Sequence, residues 1–252
     1  MSIDISEERG VRYLHFGSDW IQGAMRIARP YALELDYTRE MMLPLLLRDE
    51  DWPRRVLVIG LGAASVLKFL WRYRSEAKFT IIEIDPQVEF AARQNFKLPD
   101  DPRITLTIAD GADFMARSKR QFDLILVDGF DADARAGRLD TLPFYLDCKA
   151  RLAAEGLVSI NLLSRRKDFR RSLAQIREAF DDQVLALPSC DSGNAIAVAG
   201  LASERAAGQT FDELKQAAKR LKEETRLDLL PTLSRLTTFG GFPQGRLAFP
   251  IG

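Results

Sequence analysis

Residues Val56 to Ser65 read VLVIGLGAAS: an apolar run, a Gly-x-Gly pair at Gly60 and Gly62, and then small residues opening into VLKFLWRY. A strand without a polar face is covered on both sides, as in a parallel sheet packed between helices. Glycines at its end let the backbone turn sharply and let a ligand approach the start of the helix. The same alternation continues outward. RVLVIG, KFTIIEI, ITLTI, FDLILV and GLVSINLL are the strands, and each of the first four is followed by a segment of helical composition. The expected fold is α/β, a doubly wound parallel sheet that begins around Trp52-Pro53 and takes residues 51–252.

Upstream, residues 1–50 read as a small antiparallel β unit followed by a linking helix. IDIS, VRYLHF and WIQGAM are short β-like runs broken by Glu-Arg-Gly and Gly-Ser-Asp. After Pro30, the residues Leu33, Tyr37, Met41 and Leu45 recur every four positions, a helical stripe interrupted by Pro44. Downstream, RRKDFRRSLAQIREAF is an amphipathic basic helix with its apolar stripe at Phe169, Leu173, Ile176 and Phe180. QVLALP and NAIAVAG are candidate strands, a helix is expected over about Phe211–Thr225, and the rest reads as an irregular tail ending in FPIG.

The 252 residues carry 36 Lys and Arg against 36 Asp and Glu, so no basic field draws the chain to nucleic acid or to a membrane. A small molecule is the default partner. The opening MSIDISEERG has no apolar leader, and no apolar run nears the roughly 18 residues of a membrane span, so a cytoplasmic location is expected. Cys148 and Cys190 lie far apart, and the single histidine, His15, sits in a strand-like segment; no metal site is expected from such a ligand supply.

Three strand ends carry polar groups toward one sheet edge. Gly60 and Gly62 follow the first strand, with Ser65 where a dinucleotide fingerprint has its third glycine. Glu83 closes the second strand, where an acid accepts from ribose hydroxyls; Asp110 and Gly111 follow the third, where a carboxylate is either a helix N-cap or an acceptor for an adenine amine. Gly-x-Gly with Glu83 points to a ribose-bearing ligand without saying which. Nicotinamide dinucleotides need room for a second nucleotide, and nothing after the fourth strand resembles a site for one. FDLILVDGFDADAR ends instead in Asp128 and Asp131, a pair of acids suited to binding and orienting a cationic amine.

In order and spacing, GSDWIQGAM, GLGAAS, IIEID, DDPRITLTIADGADFM, FDLILVDGFD and LDTLPFYLDCKARLAAEGLVSIN resemble the motifs of the spermidine synthase family of polyamine aminopropyltransferases, over roughly Gly10 to Asn161. The resemblance implies a Rossmann-like, methyltransferase-type sheet behind a small β unit, and homodimerisation. It implies no tightly bound cofactor but a co-substrate, decarboxylated S-adenosylmethionine, whose aminopropyl group passes to an amine while methylthioadenosine leaves. Carried over by position, Gln22 contacts the methylthioadenosine part, Glu83 the ribose, and Asp110 with Gly111 the adenine. Asp128 is the proton acceptor, Asp131 binds the amine, and Phe144 and Tyr145 are an aromatic pair lining the pocket. The departures cluster at the amine: Ala63 replaces an aspartate of the glycine loop, Thr38 and Arg39 replace a Tyr-His pair, and Ala132 replaces a proline. Arg39 is expected to repel a diamine. Two rival readings remain, an S-adenosylmethionine-dependent methyltransferase, with Arg39 as a donor for the carboxylate of S-adenosylmethionine, and a nucleoside-binding homologue without turnover.

Overall fold

The computed structural model describes residues 2–18, 20–131, 133–190, 192–200 and 208–248. Three N-terminal strands, β1 (Asp4–Glu8), β2 (Val11–His15) and β3 (Ile21–Arg26), form an antiparallel sheet in the order β1-β2-β3. His15 lies on β2 with its ring nitrogens at Ser6 Oγ and the Trp20 carbonyl, a surface role.

The linking helix is shorter than its stripe. Helix α1 covers only Asp36–Glu40, and a 3-10 turn follows at Leu43–Leu46. Pro44 explains the break: it has no N–H to donate, and in a continuous helix its ring would clash with the carbonyl of Glu40. Leu33, Tyr37, Met41 and Leu45 are nonetheless all buried, so the stripe marked the inward face correctly.

The main sheet is built from β4 (Arg55–Ile59), β5 (Lys78–Glu83), β6 (Ile104–Ile108), β7 (Phe122–Val127), β8 (Leu152–Leu163), β9 (Val184–Ala186) and β10 (Asn194–Gly200). The intervening helices are α2 (Ser65–Tyr73), α3 (Pro86–Asn95), α4 (Gly111–Arg117), α5 (Leu142–Ala150) and α6 (Phe169–Ala179). Strand order is β6-β5-β4-β7-β8-β10-β9. The five strands expected to be parallel, β4 to β8, are parallel, and the two candidate strands after them add an antiparallel end, β10 running antiparallel to both β8 and β9. The link from Ala186 to Asn194 is too short for the crossover that a parallel neighbour requires, so the chain folds back as a hairpin.

Alternation along β4 sorts its side chains between two cores. Val56 and Val58 join the cluster that holds Leu67 and Phe69 of α2 and Val88 of α3; Leu57 and Ile59 join the one that holds Met115 of α4, Phe144 of α5 and Ile176 of α6. The first core also takes in Leu14 and Met25 of the small sheet, together with residues of two C-terminal helices, α7 (Phe211–Thr225) and α8 (Leu230–Thr238). Helix α8 lies where an irregular tail was expected: Pro231 sits in its first turn and Leu233 and Leu236 are buried, while the FPIG end falls outside the described residues. Among the described residues no helix is long and apolar enough to cross a membrane.

Because the chain leaves β4 toward β5 and β6 and then returns to β7 on the other side, the order reverses between β4 and β7. A crevice opens there at the carboxyl ends of the strands.

Candidate active site

A cavity of about 890 Å3 fills that crevice. Gln22, Gly60, Gly62, Glu83, Asp110, Gly111, Asp128 and Asp131 all line it. Gly60 (φ +90°) passes so close to the β7 tip that a Cβ there would lie 2.2 Å from the Asp128 carbonyl oxygen, and a Cβ on Gly62 (φ +49°) would meet the Gln22 carbonyl oxygen at 3.3 Å. Only glycine fits the first position.

Glu83 ends β5, 6% exposed. Its Oε2 accepts from the Leu61 amide at 2.7 Å, and its Oε1 accepts from the amides of Ile84 (2.8 Å) and Asp85 (3.0 Å). A carboxylate has about four acceptor positions. Three are therefore taken by the backbone, and Oε2 keeps one for a ligand. Burial raises the Glu83 pKa and these three bonds oppose the rise. Asp110 does cap α4, its Oδ1 accepting from the amides of Ala112 (2.8 Å) and Asp113 (3.0 Å). Its Oδ2 remains turned to Arg138 at 3.1 Å, and that guanidinium also pairs with Asp113. Ile84 and Leu139 add apolar walls at this end.

Asp128 follows β7 and lines the same cavity. Asn161 Nδ2, from β8, donates to its Oδ1 at 2.8 Å, and the hydroxyl of buried Tyr37 donates to its Oδ2 at 3.1 Å. Burial raises the Asp128 pKa, against these two bonds. Burial, then the neighbouring Asp128, raises that of Tyr37 well above its ordinary value. Neither Tyr37 nor Asn161 was identifiable as a site residue from the sequence. Asp131 is exposed, and its Oδ1 accepts from the amides of Asp133 and Arg135, which shapes the loop after β7. Ala132, where the family's proline was missed, lies outside the described residues.

Two expectations about the amine end change. Tyr145 does not reach the cavity: it is fully buried in α5, its hydroxyl donating to Asp140 at 2.7 Å, and Phe144 packs in the same core. Arg39 does not reach it either. Its guanidinium donates to the carbonyls of Leu33 and Glu34 and pairs with Asp36, binding the loop before α1 to itself. Both the repulsion of a diamine and the clamp on a carboxylate therefore lose their agent. Ala63 is buried, and a Cβ on Gly23 of β3 would lie 2.6 Å from its Cβ. An acid at position 63 would thus press on β3, with no cavity wall to occupy. Glu34, Asp36 and Tyr37, in and just before α1, line the cavity, as Asp128 and Asp131 do.

The model of the spermine/spermidine synthase domain matches residues 35–192. The polyamine aminopropyltransferase of Neisseria meningitidis (serogroup A, serotype 4A) is 34% identical over 235 residues, 93% of this chain and 88% of that relative. A solved spermidine synthase in complex with the transition-state analogue AdoDATO has a TM-score of 0.59 at 25% identity, over 78% of this chain and 73% of its own. Human methyltransferase-like protein 13, in complex with SAH, has a TM-score of 0.67 at 22% identity, over 77% and 93% of the two chains, a likeness of fold.

Proposed function

The chain belongs to the spermine/spermidine synthase family, and from that premise we propose that its cavity transfers the aminopropyl group of decarboxylated S-adenosylmethionine to a small-molecule amine. The observation that carries this reading is the cavity itself, in which Asp128, held by Tyr37 and Asn161, faces the space beyond the nucleoside end. In this assignment Glu83 accepts from the ribose, Asp110 with Gly111 meets the adenine, Gln22 contacts the methylthioadenosine part, and the backbone at Gly60 and Gly62 lets the sulfur end lie close.

The chemistry is an in-line displacement. The lone pair of the amine nitrogen attacks the methylene beside the sulfonium, the C–S bond breaks with its electron pair going to sulfur, and methylthioadenosine leaves. An alkylammonium has a pKa near that of lysine, about 10.4, so the nucleophile must be bound and stripped of a proton first. Asp128, with its raised pKa, accepts that proton or passes it to water, while Asp131 at the cavity wall draws the cationic acceptor in. Alignment of donor and acceptor contributes more than the proton transfer does.

The position of Arg39 supports the decarboxylated donor over S-adenosylmethionine, since a donor carboxylate near the glycine loop finds no partner in that guanidinium. The two arginines at the cavity wall lie on the segment after β7, Arg138 being engaged with Asp110 and Asp113. A cytoplasmic homodimer completes the proposal, and light scattering tests the oligomer. Activity is tested by incubating the protein with decarboxylated S-adenosylmethionine and putrescine, cadaverine or spermidine, and following methylthioadenosine by chromatography. Its release in an amine-dependent manner is expected. Turnover with S-adenosylmethionine to the demethylated product, and none with the decarboxylated donor, would overturn the reading in favour of a methyltransferase.

A further inference from the structure

From Asp128 a chain of polar side chains runs along the wall of the cavity, which Asn161, Asn194 and Ser192 all line. Asn161 Nδ2 donates to Asp128 Oδ1 at 2.8 Å, Asn194 Nδ2 donates to Asn161 Oδ1 at 2.9 Å, and the Ser192 hydroxyl donates to Asn194 Oδ1 at 2.6 Å. Cys190 Sγ stands 3.0 Å from the Ser192 oxygen. The direction of every bond follows from one fact: an ionised carboxylate can only accept. Asp128 therefore requires the NH2 of Asn161, which turns the Asn161 carbonyl toward Asn194. Asn194 must then present its NH2 and leave its carbonyl to Ser192, whose proton is thereby committed. The thiol of Cys190 becomes the donor at the end of the chain.

Sheet topology makes this possible. Asn161 pairs with Ile196 and Leu163 pairs with Asn194 across the antiparallel β8–β10 ladder, so the two asparagines are diagonal neighbours on one face. Asn161 is only 4% exposed, and both polar atoms of its amide are engaged within the chain.

We propose that Asn161 and Asn194 are positioning residues, a one-directional amide relay that holds the Asp128 carboxylate ionised and correctly rotated for the acceptor amine. The proposal rests on the reading of Asp128 given above. Asn161 acts on the carboxylate directly and Asn194 acts through it, by denying the Asn161 amide its flipped orientation.

The test measures the pKa of Asp128 by carboxyl 13C NMR in the presence of methylthioadenosine, together with kcat, KM and the pH–rate profile for whichever of the three amines turns over. Asn161→Leu removes the donor to the carboxylate, so the pKa of Asp128 rises and the acid limb of the profile moves up with it; Asn194→Leu does the same to a smaller extent. Misorientation costs about 10- to 100-fold in kcat. The KM of the donor and the affinity for methylthioadenosine stay within about twofold, since the nucleoside end is untouched. A purely structural role would lower the melting temperature and leave the pKa and the profile where they were. If the leucine variants do not fold, Ser192→Ala, which removes the hydroxyl that donates to Asn194 Oδ1, gives the same readout in weaker form. An unchanged Asp128 pKa and pH profile in a normally melting variant overturns the relay. Full turnover by Asp128→Asn overturns instead the role of Asp128, and with it the purpose of the relay, so the two failures are told apart.

Discussion

Asp128 accepts from Asn161 and Tyr37, and an amide in its place can still accept from the one and donate to the hydroxyl of the other. Asp128→Asn should therefore fold, melt normally and bind methylthioadenosine, while aminopropyl transfer falls by about 10²–10⁴, the usual cost of losing a general base. A folded variant with wild-type turnover would reduce Asp128 to a turn residue. Glu83 presents a different case, because three of its acceptor positions hold backbone amides of two separate loops. Glu83→Gln turns an NH2 toward at least one of those amides and so opposes donor to donor. Calorimetry with methylthioadenosine should show a loss of about 1.5–3 kcal/mol, and the melting temperature should fall as well. Weakened binding at an unaltered melting temperature would mean that the amides find other partners and that Glu83 serves the ribose alone.

At the scale of elements, β3 and the glycine loop are fitted to each other without spare room. A Cβ on Gly23 would lie 2.6 Å from the Ala63 Cβ and 2.9 Å from the Ala63 nitrogen. Gly23→Ala must push the small sheet away from the turn that carries Gly60 and Gly62. Overpacking of this kind costs about 1–3 kcal/mol, and affinity for methylthioadenosine should fall with stability. Unchanged affinity would show that the loop moves independently of β3. What the sequence revealed here was whatever is written locally. The strands that end in Gly60, Glu83 and Asp128 announce both their burial and their tips in adjacent residues. Tyr37 and Asn161 do not, because they meet Asp128 across separations of 91 and 33 residues, through a helix that Pro44 cuts short and a ladder whose direction depends on a hairpin. Arg39 misled for a related reason: its position in the chain lies near the amine end, but its side chain is taken up by the carbonyls of its own loop.

Across the whole molecule, the small sheet, one face of the main sheet and the C-terminal helices share a single core, so a charge buried there is felt as global stability. Glu40 of α1 pairs with Arg235 of α8 at 2.7 Å, which ties the element carrying Tyr37 to the C-terminal end of the fold. Lys68 of α2 is 1% exposed, and its Nζ donates to the Phe96 carbonyl at 2.6 Å, just beyond α3. Burial, and then the nearby Lys97, lower its pKa from 10.5 to about 7. Below that value the folded and unfolded chains both hold the proton, and the cost of burying the charge is present in full. Between about 7 and 10.5 only the unfolded chain holds it, so unfolding takes up a proton and the free energy of unfolding rises with pH. The slope reaches at most about 1.4 kcal/mol per pH unit. Lys68→Met removes the titration, although it leaves the Phe96 carbonyl without its donor, so its stability at any one pH is less informative than the slope. Urea unfolding of both proteins from about pH 6.5 to 9.5 should show the wild type gaining on the variant as pH rises. Parallel curves would mean that Lys68 keeps its charge in the folded state.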